Sequence, residues 1–287
     1  MILSPIKALG TVWHIELLEK RDDILDIQVA TEGFLEEFEI RYSRFKADSW
    51  LSQLNTNRVF KRPDSEFVTL LKQAISFYEQ TNGVFNIAIG EKMIASGYDS
   101  AYSFSVKGNE VEVPVLTDVL SVNSDVIKLN NGSLDLGGIG KGFAIDALAQ
   151  MYKQKFNLQY FLINGGGDIY ATSDNGQPIT ITLAHPTDNR LAIGSVKLLD
   201  QGFAASSPYV RAWPDKVTGK VHNHLLTNKN MASYVVASSA CIADVWATTC
   251  AIEPDSVVLS GVEVILLENA QVVRSSKVFQ LHTQNQS

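Results

Sequence analysis

Four stretches of the chain carry hydrophobic residues at the three- and four-residue spacing of a helix with one apolar face. The clearest is Ser65–Gln80, where Phe67, Leu70, Leu71, Ala74, Phe77 and Tyr78 form one stripe. Residues 22–42 are acidic and place Ile24, Ile27, Phe34, Leu35 and Phe38 on one face. Residues 141–152 do the same with Ala144, Ala147, Leu148 and Met151, and a shorter helix begins near Ser239 and holds Ala243, Trp246 and Ala247. Around these lie strand-like runs at 11–18, 160–163, 179–183, 193–198, 234–237 and 262–267. Some follow one another across short polar turns; residues 185–189 form one such turn, between the runs that end at Leu183 and start at Ile193. Consecutive strands without helices between them argue for antiparallel pairing. The expected class is therefore α+β, with mostly antiparallel sheets and interspersed helices. One compact two-lobed unit covering residues 1–287 is expected, since no low-complexity linker or repeat divides the chain.

Composition narrows the picture. With 287 residues, 45% of them hydrophobic, the chain has ample material for a core. No run approaches the eighteen apolar residues of a spanning helix. The start, Met1-Ile-Leu-Ser-Pro5, lacks a basic stretch followed by an apolar one, and no N-terminal Cys is present to carry a lipid, so the cytoplasm is the expected compartment. Cys241 and Cys250 sit in one short segment and are expected as reduced thiols. A net charge of -7 gives no support to a nucleic-acid partner.

Two glycine segments carry candidate chemistry. Residues 134–143 read Leu-Asp-Leu-Gly-Gly-Ile-Gly-Lys-Gly-Phe and open the helix at Lys141. A glycine-rich turn feeding a helix N-terminus suits an anion, because free N–H groups and the helix dipole both point at it. Lys141 is a cation in the first helical turn, which the dipole disfavours; a nearby phosphate or carboxylate accounts for it. A Walker A loop is excluded, since Asp135 stands where its first glycine belongs and Gly142 where Ser or Thr belongs. A dinucleotide-binding fingerprint fails because Gly142 follows Gly138 and Gly140 one residue too early. The second segment, Ile163-Asn-Gly-Gly-Gly-Asp168, follows a strand and permits a tight turn or a close backbone approach.

Asp244 and Thr248 lie four apart on a helix and share a face. Their oxygens are hard donors that suit magnesium better than zinc, with a glycine-loop carbonyl able to add a third; a capping Asp beside a half-buried Thr is the plainer reading. His222 and His224 flank Asn223. On an extended segment both face the same way, which offers a shared ligand or a general base, or else two solvated loop histidines. A zinc site is not expected, for want of a third nitrogen or sulfur ligand nearby.

Taken in order, these pieces resemble the FAD:protein FMN transferases, the ApbE family. The resemblance runs through Leu9-Gly10-Thr11, Tyr42-Ser43-Arg44-Phe45, Asp48-Ser49-Trp50-Leu51-Ser52-Gln53-Leu54-Asn55 and Thr81-Asn82-Gly83-Val84-Phe85-Asn86. It continues through residues 134–146, 164–168, Ser206-Ser207-Pro208-Tyr209-Val210-Arg211 and Ala243-Asp244-Val245-Trp246-Ala247-Thr248. It implies that Leu9, Phe45, Val84, Phe85, Asn86, Asp135, Lys141 and Leu225 contact FAD. It likewise implies that the carbonyl of Gly138, with Asp244 and Thr248, holds Mg2+, and that His224 is catalytic. The implied reaction is magnesium-dependent transfer of FMN from FAD to a Thr or Ser hydroxyl of an acceptor flavoprotein, with release of AMP. Metal-dependent hydrolysis of FAD to FMN and AMP, or FAD binding without chemistry, are the alternatives. The chain departs from the pattern after His224, where Leu225-Leu226-Thr227-Asn228-Lys229-Asn230 replaces an Asp-Pro pair and a Thr-Gly pair, and at Asn86, where Asp is usual.

Overall fold

A computed structural model describes residues 1–106, 111–173, 176–188, 190–215 and 218–282. The chain opens with β1 (Ile6–Ala8), β2 (Thr11–Leu17), α1 (Ile24–Tyr42), α2 (Trp50–Asn57), β3 (Val59–Lys61) and α3 (Ser65–Gln80). It continues through α4 (Gly90–Ala95), α5 (Leu116–Val119), β4 (Leu120–Val122), β5 (Val126–Leu129), α6 (Gly140–Lys155), β6 (Phe161–Gly165) and β7 (Asp168–Thr172). The remainder forms β8 (Ile179–Ala184), β9 (Ala192–Leu198), β10 (Gln201–Ser206), β11 (Ala212–Pro214), β12 (Val221–Asn223) and β13 (Met231–Ala237). Last come α7 (Ala240–Ile252), β14 (Glu263–Glu268), β15 (Gln271–Ser275) and β16 (Phe279–Leu281).

Eight strands make one antiparallel sheet in the order β1-β2-β6-β7-β10-β13-β14-β15. Smaller sheets order as β16-β9-β8, β3-β5-β4 and β11-β12. The fold is thus α+β with antiparallel sheets, as the pattern of the sequence predicts. The four expected helices and all six strand runs form, with ends shifted by a few residues. The turn expected over residues 185–189 joins β8 to β9; Asn189 in it lies outside the described residues.

The middle of the large sheet is covered on both faces. Along β13, Met231, Val235 and Ala237 pack with Trp246, Ala247 and Cys250 of α7. The alternate residues Ala232, Tyr234 and Val236 meet Ile181, Leu183, Val196 and Leu198 of the β8–β9 layer. Burial of both pleat faces explains why this strand reads as a continuous apolar run. Ser233, the polar residue in it, donates its hydroxyl to the Ala247 carbonyl. The β1–β2–β6 end packs under α1, α2, α3 and α6 around Trp13, Ile15, Leu35, Phe67 and Leu148. Both cysteines are free and buried. No helix among the described residues is long and apolar enough to cross a membrane.

Candidate active site

The site begins with the contact between α6 and α7. A Cβ built on Gly142 falls 2.6 Å from both the Ala240 carbonyl oxygen and the Cys241 Cα, so only glycine lets the two helices approach this closely. Asp146, one turn further along α6, accepts hydrogen bonds from the N–H groups of Ala240 (2.8 Å) and Cys241 (2.9 Å). Those are free donors of the first turn of α7, and Ser239 caps the Ile242 N–H as well. The start of α7 is thereby fixed against the start of α6. Asp244 comes to lie where its Oδ2 accepts the Gly142 N–H at 3.1 Å. The helix N-terminus read from the sequence as an open anion site therefore already engages an internal carboxylate through one of its N–H groups.

Lys141 sits between two buried carboxylates. Its ammonium bonds Asp168 and lies 3.6 Å from Asp244 Oδ2. This contact resolves the oddity of a cation in the first turn. Burial disfavours the charge on Lys141, but Asp168 and Asp244 outweigh it and hold the pKa above the ordinary lysine value. Burial also dominates at Asp244 and raises its pKa; Lys141 opposes that shift and Asp168 adds to it. Asp168 opens β7 directly after a two-residue hairpin turn, in which Gly166 and Gly167 both have positive φ (76° and 105°). That is the backbone of a type I′ turn, and it is what the triple-glycine segment is for. A Cβ on Gly166 would collide with Thr11, next to the β1–β2 hairpin turn at Leu9 (φ 52°) and Gly10 (φ 70°).

The oxygens here suit a hard divalent cation. Asp244 and Asp168 supply buried carboxylates. A Cβ on Gly138 would lie 3.4 Å from Thr248 Oγ1, so the glycine loop passes close to the Thr248 hydroxyl. Thr248 Oγ1 in turn lies 3.3 Å from Ser206 Oγ. Two carboxylates face one lysine in a buried place, where burial raises the Asp244 pKa to about 7, and a magnesium ion would favour the ionised carboxylate. Among the described residues no three His, Cys, Asp or Glu side chains cluster as ligands, so the donors would include hydroxyl and carbonyl oxygens.

A cavity of about 1050 Å³ opens over this cluster. It brings together all twelve residues that the family resemblance assigns to the site. Gly138, Lys141, Asp244 and Thr248 form its metal-like floor, and Leu9, Phe45, Val84, Phe85, Asn86 and Asp135 line it from the first half of the chain. His224 and Leu225 close it from the β12 side. Several have local duties that the sequence did not reveal. Asp135 accepts from the Arg44 guanidinium and, at 2.6 Å, from the Gly137 N–H. Asn86 donates to the Pro114 carbonyl (2.9 Å) and accepts from the Ala88 N–H (2.8 Å). An aspartate in its place would have no N–H for the Pro114 carbonyl.

The histidine pair separates. β12 ends at Asn223, so His222 remains on the ribbon and takes no part in lining the cavity, whereas His224 lies in the following turn. That turn is organised by Asn223, whose side chain accepts from the Leu225 N–H (3.1 Å) and donates to the Thr227 carbonyl (2.7 Å). These bonds hold the loop that follows β12. The His224 N–H donates to the Arg211 carbonyl (3.1 Å), and its Nδ1 is buried without a hydrogen-bond partner. Burial, then the positive charge of Arg211, push the imidazole down to about 4. Sequence reasoning gave no role to Arg44, Asp168, Tyr98 or Arg211. Arg44 and Arg211 lay inside the quoted motifs, but nothing in a sequence tells which cations point inward.

Fold and site together define an α+β protein with a large antiparallel sheet and a glycine-loop cavity where two helices meet at its edge. The chain belongs to the ApbE family, whose model matches residues 9–265. It is similar to the FAD:protein FMN transferase of Haemophilus influenzae, 25% identical over 224 residues, which are 71% of this chain and 64% of that relative. The Salmonella typhimurium protein of the same name is 23% identical over 280 residues, 84% of this chain and 75% of that one. The chain thus spans somewhat less than two thirds of the Haemophilus relative and three quarters of the Salmonella one. Among solved structures, the ApbE protein of Thermotoga maritima superposes with a TM-score of 0.79 at 21% identity, covering 98% of this chain and 99% of its own. The flavin transferase ApbE of Vibrio cholerae gives 0.69 at 19% identity, covering 97% and 94%. At these identities the structures demonstrate a shared fold.

Proposed function

We propose that this protein transfers the FMN half of FAD to a Thr or Ser hydroxyl of another protein and releases AMP, with magnesium bound at Asp244, Thr248 and the Gly138 carbonyl. The observation that carries the reading is one cavity in which a charged lysine, two buried carboxylates and a buried, unpartnered histidine nitrogen converge. The family membership and the names of the relatives support it. Residues from Leu9 to Ile252 line the cavity, which fits residues 1–287 working as one unit.

In the proposed step the acceptor oxygen forms a bond to the FMN-side phosphorus, and the bond from that phosphorus to the bridging oxygen breaks. AMP departs with the bridging oxygen, and the hydroxyl proton passes to the His224 imidazole. Burial keeps the His224 ring neutral and open to a proton, although the same burial lowers its basicity. Lys141 stays protonated beside its carboxylates and can face the phosphoryl oxygens. Asp168 holds the lysine in place. Phe45, Val84 and Phe85 offer apolar surface to the ring systems of FAD, and Leu9 and Leu225 close over them. Bound magnesium would supply the neutralising charge that phosphoryl transfer needs. Asp244, Thr248 and Gly138 are the residues that would hold it.

The test is incubation with FAD, magnesium and a candidate acceptor, followed by mass spectrometry. An acceptor heavier by one FMN, with AMP in solution, is the expected outcome. FMN and AMP without labelled acceptor would make the protein a hydrolase, and intact bound FAD would make it a binding protein.

A further inference from the structure

Four Lys or Arg side chains line the cavity: Arg44, Lys141, Arg190 and Arg211. Three are already matched by carboxylates. Arg44 pairs with Asp135, Lys141 with Asp168 and Asp244, and Arg190 with Asp188. Among the described residues Arg211 forms no ion pair. Its guanidinium is held instead by a neutral contact, in which Nη1 donates to the Tyr98 hydroxyl at 3.1 Å. Tyr98 is itself fixed. It is buried, its ring stacks on Trp213 with centroids 5.5 Å apart and planes at 13°, and its carbonyl accepts from Arg44 at 2.7 Å. A guanidinium has five N–H donors, so one bond to a tyrosine leaves most of them for a ligand. An anchored, uncompensated guanidinium at a cavity wall suits an anion, and its planar fork matches a phosphate.

The β11–β12 ribbon decides which phosphate it would meet. Ala212 pairs with Asn223 and Trp213 with His222. The next pair in the same register is Arg211 with His224, and the His224 N–H donates to the Arg211 carbonyl (3.1 Å), which carries the ladder onto it. Residues directly opposite in an antiparallel pair point to the same face, with Cβ atoms about 4.5 to 5.5 Å apart. Both line the cavity, and the charge of Arg211 bears on the His224 ring and on the Lys141 ammonium.

We infer that Arg211 grips the FMN-side phosphate of FAD, its guanidinium donating to the non-bridging oxygens of the phosphorus that the acceptor hydroxyl attacks. The inference rests on the transferase reading above, in which His224 takes the proton of that hydroxyl. A group beside the base stands at the attacked phosphorus, whereas Lys141 stands on the floor with the carboxylates. Charge on those oxygens must be stabilised during phosphoryl transfer, and a fixed cation does so without rearrangement. Arg211 gives up no proton in the step.

The test compares FAD and FMN, which carry that phosphate, with riboflavin, which has none. Arg211→Gln should weaken FAD and FMN binding about tenfold in a fluorescence titration and leave riboflavin binding unchanged. Arg211→Lys, which keeps the charge and loses the fork, should recover part of the loss. At saturating FAD, release of AMP, which transfer and hydrolysis share, should fall about a hundredfold in Arg211→Gln. The unsubstituted protein gives an independent reading. Phenylglyoxal, which reacts with accessible guanidinium groups, should label Arg211, and FMN should shield it where riboflavin does not. Arg62, exposed and outside the cavity, is the control. Equal losses for FMN and riboflavin, a loss for FAD but not FMN, no loss at all, or labelling of Arg211 that FMN leaves unchanged would overturn the inference. Undiminished AMP release by Arg211→Gln would do so too. Failure of the transferase reading looks different: no acceptor gains FMN, while the selective loss of FAD and FMN affinity and the shielding of Arg211 remain.

Discussion

At the scale of single residues, His224 makes the sharpest demand. The resemblance to the family and the ordinary chemistry of imidazole together suggest a base that titrates near neutrality, but burial and Arg211 move it down to about 4. The ring is therefore ready to accept a proton across the whole neutral range. The transfer rate should be flat there and fall only as pH drops toward 4, while His224→Ala should lower the rate by about a hundredfold. A rate that climbs between pH 6 and 7, or a variant with full activity, would remove His224 from the role. The same displacement acts on stability. The folded-state pKa lies below the ordinary 6.5, so between 6.5 and about 4 the unfolded chain binds a proton that the folded chain refuses. This residue's contribution is intact above that window and declines as pH falls through it. His222, two residues earlier, remains on the ribbon, and its substitution should leave both profiles in place. The separation of the pair was not legible in the sequence. It depends on where β12 stops, and that is set by Asn223 bonding its own loop.

At the scale of elements, the site is made by the fit of α6 against α7. The sequence showed both helices, and it showed Asp244 and Thr248 four apart on one of them. It did not show that Gly142 is the contact point, because a glycine inside a glycine-rich run looks like part of a turn. Substituting Gly142 with Ala places a methyl group 2.6 Å from backbone atoms of Ala240 and Cys241, which cannot give way as a side-chain tip could. The helices must part, at a cost of about 1 to 3 kcal/mol. Asp244 then moves off the Gly142 N–H, so turnover should fall as well. Gly140→Ala is the control: its Cβ meets only Leu136 Cβ, at an ordinary 3.7 Å, and alanine favours the helix. Equal denaturant midpoints for the two variants would show that the close approach does not matter. Two causes account for several of the strands that escaped the sequence. β10 reads Gln-Gly-Phe-Ala-Ala-Ser, small residues without alternation, and β3, β4, β11 and β12 have three residues each, too few for a period to appear.

At the scale of the whole molecule, the large sheet commits both faces of its middle strands to packing and leaves the cavity at the edge where the hairpin turns, α6 and α7 meet. Strand order cannot be read from local periodicity, so the sequence could name the lining residues through family resemblance but not show that distant segments share one wall. The floor of the cavity carries Lys141 against the carboxyl groups of Asp168 and Asp244, the second of which burial makes easier to protonate. A phosphate ligand approaching alone is attracted by the lysine and repelled by the carboxylates. With magnesium in place the balance becomes positive, and a pyrophosphate is favoured. Binding of metal and of FAD should therefore be mutually reinforcing, and reciprocally so. The melting temperature should rise with FAD and magnesium together by more than the sum of the separate rises. A ligand at a hundredfold its dissociation constant stabilises by roughly 2.7 kcal/mol, which a thermal scan resolves. Riboflavin, with no phosphates, should give a small rise that does not depend on magnesium. Asp244→Ala should keep the fold and lose the synergy, because it removes a donor while leaving Lys141 its bond to Asp168. If EDTA leaves the FAD shift untouched, or riboflavin matches FAD, the carboxylates serve only to hold the lysine and the metal assignment falls.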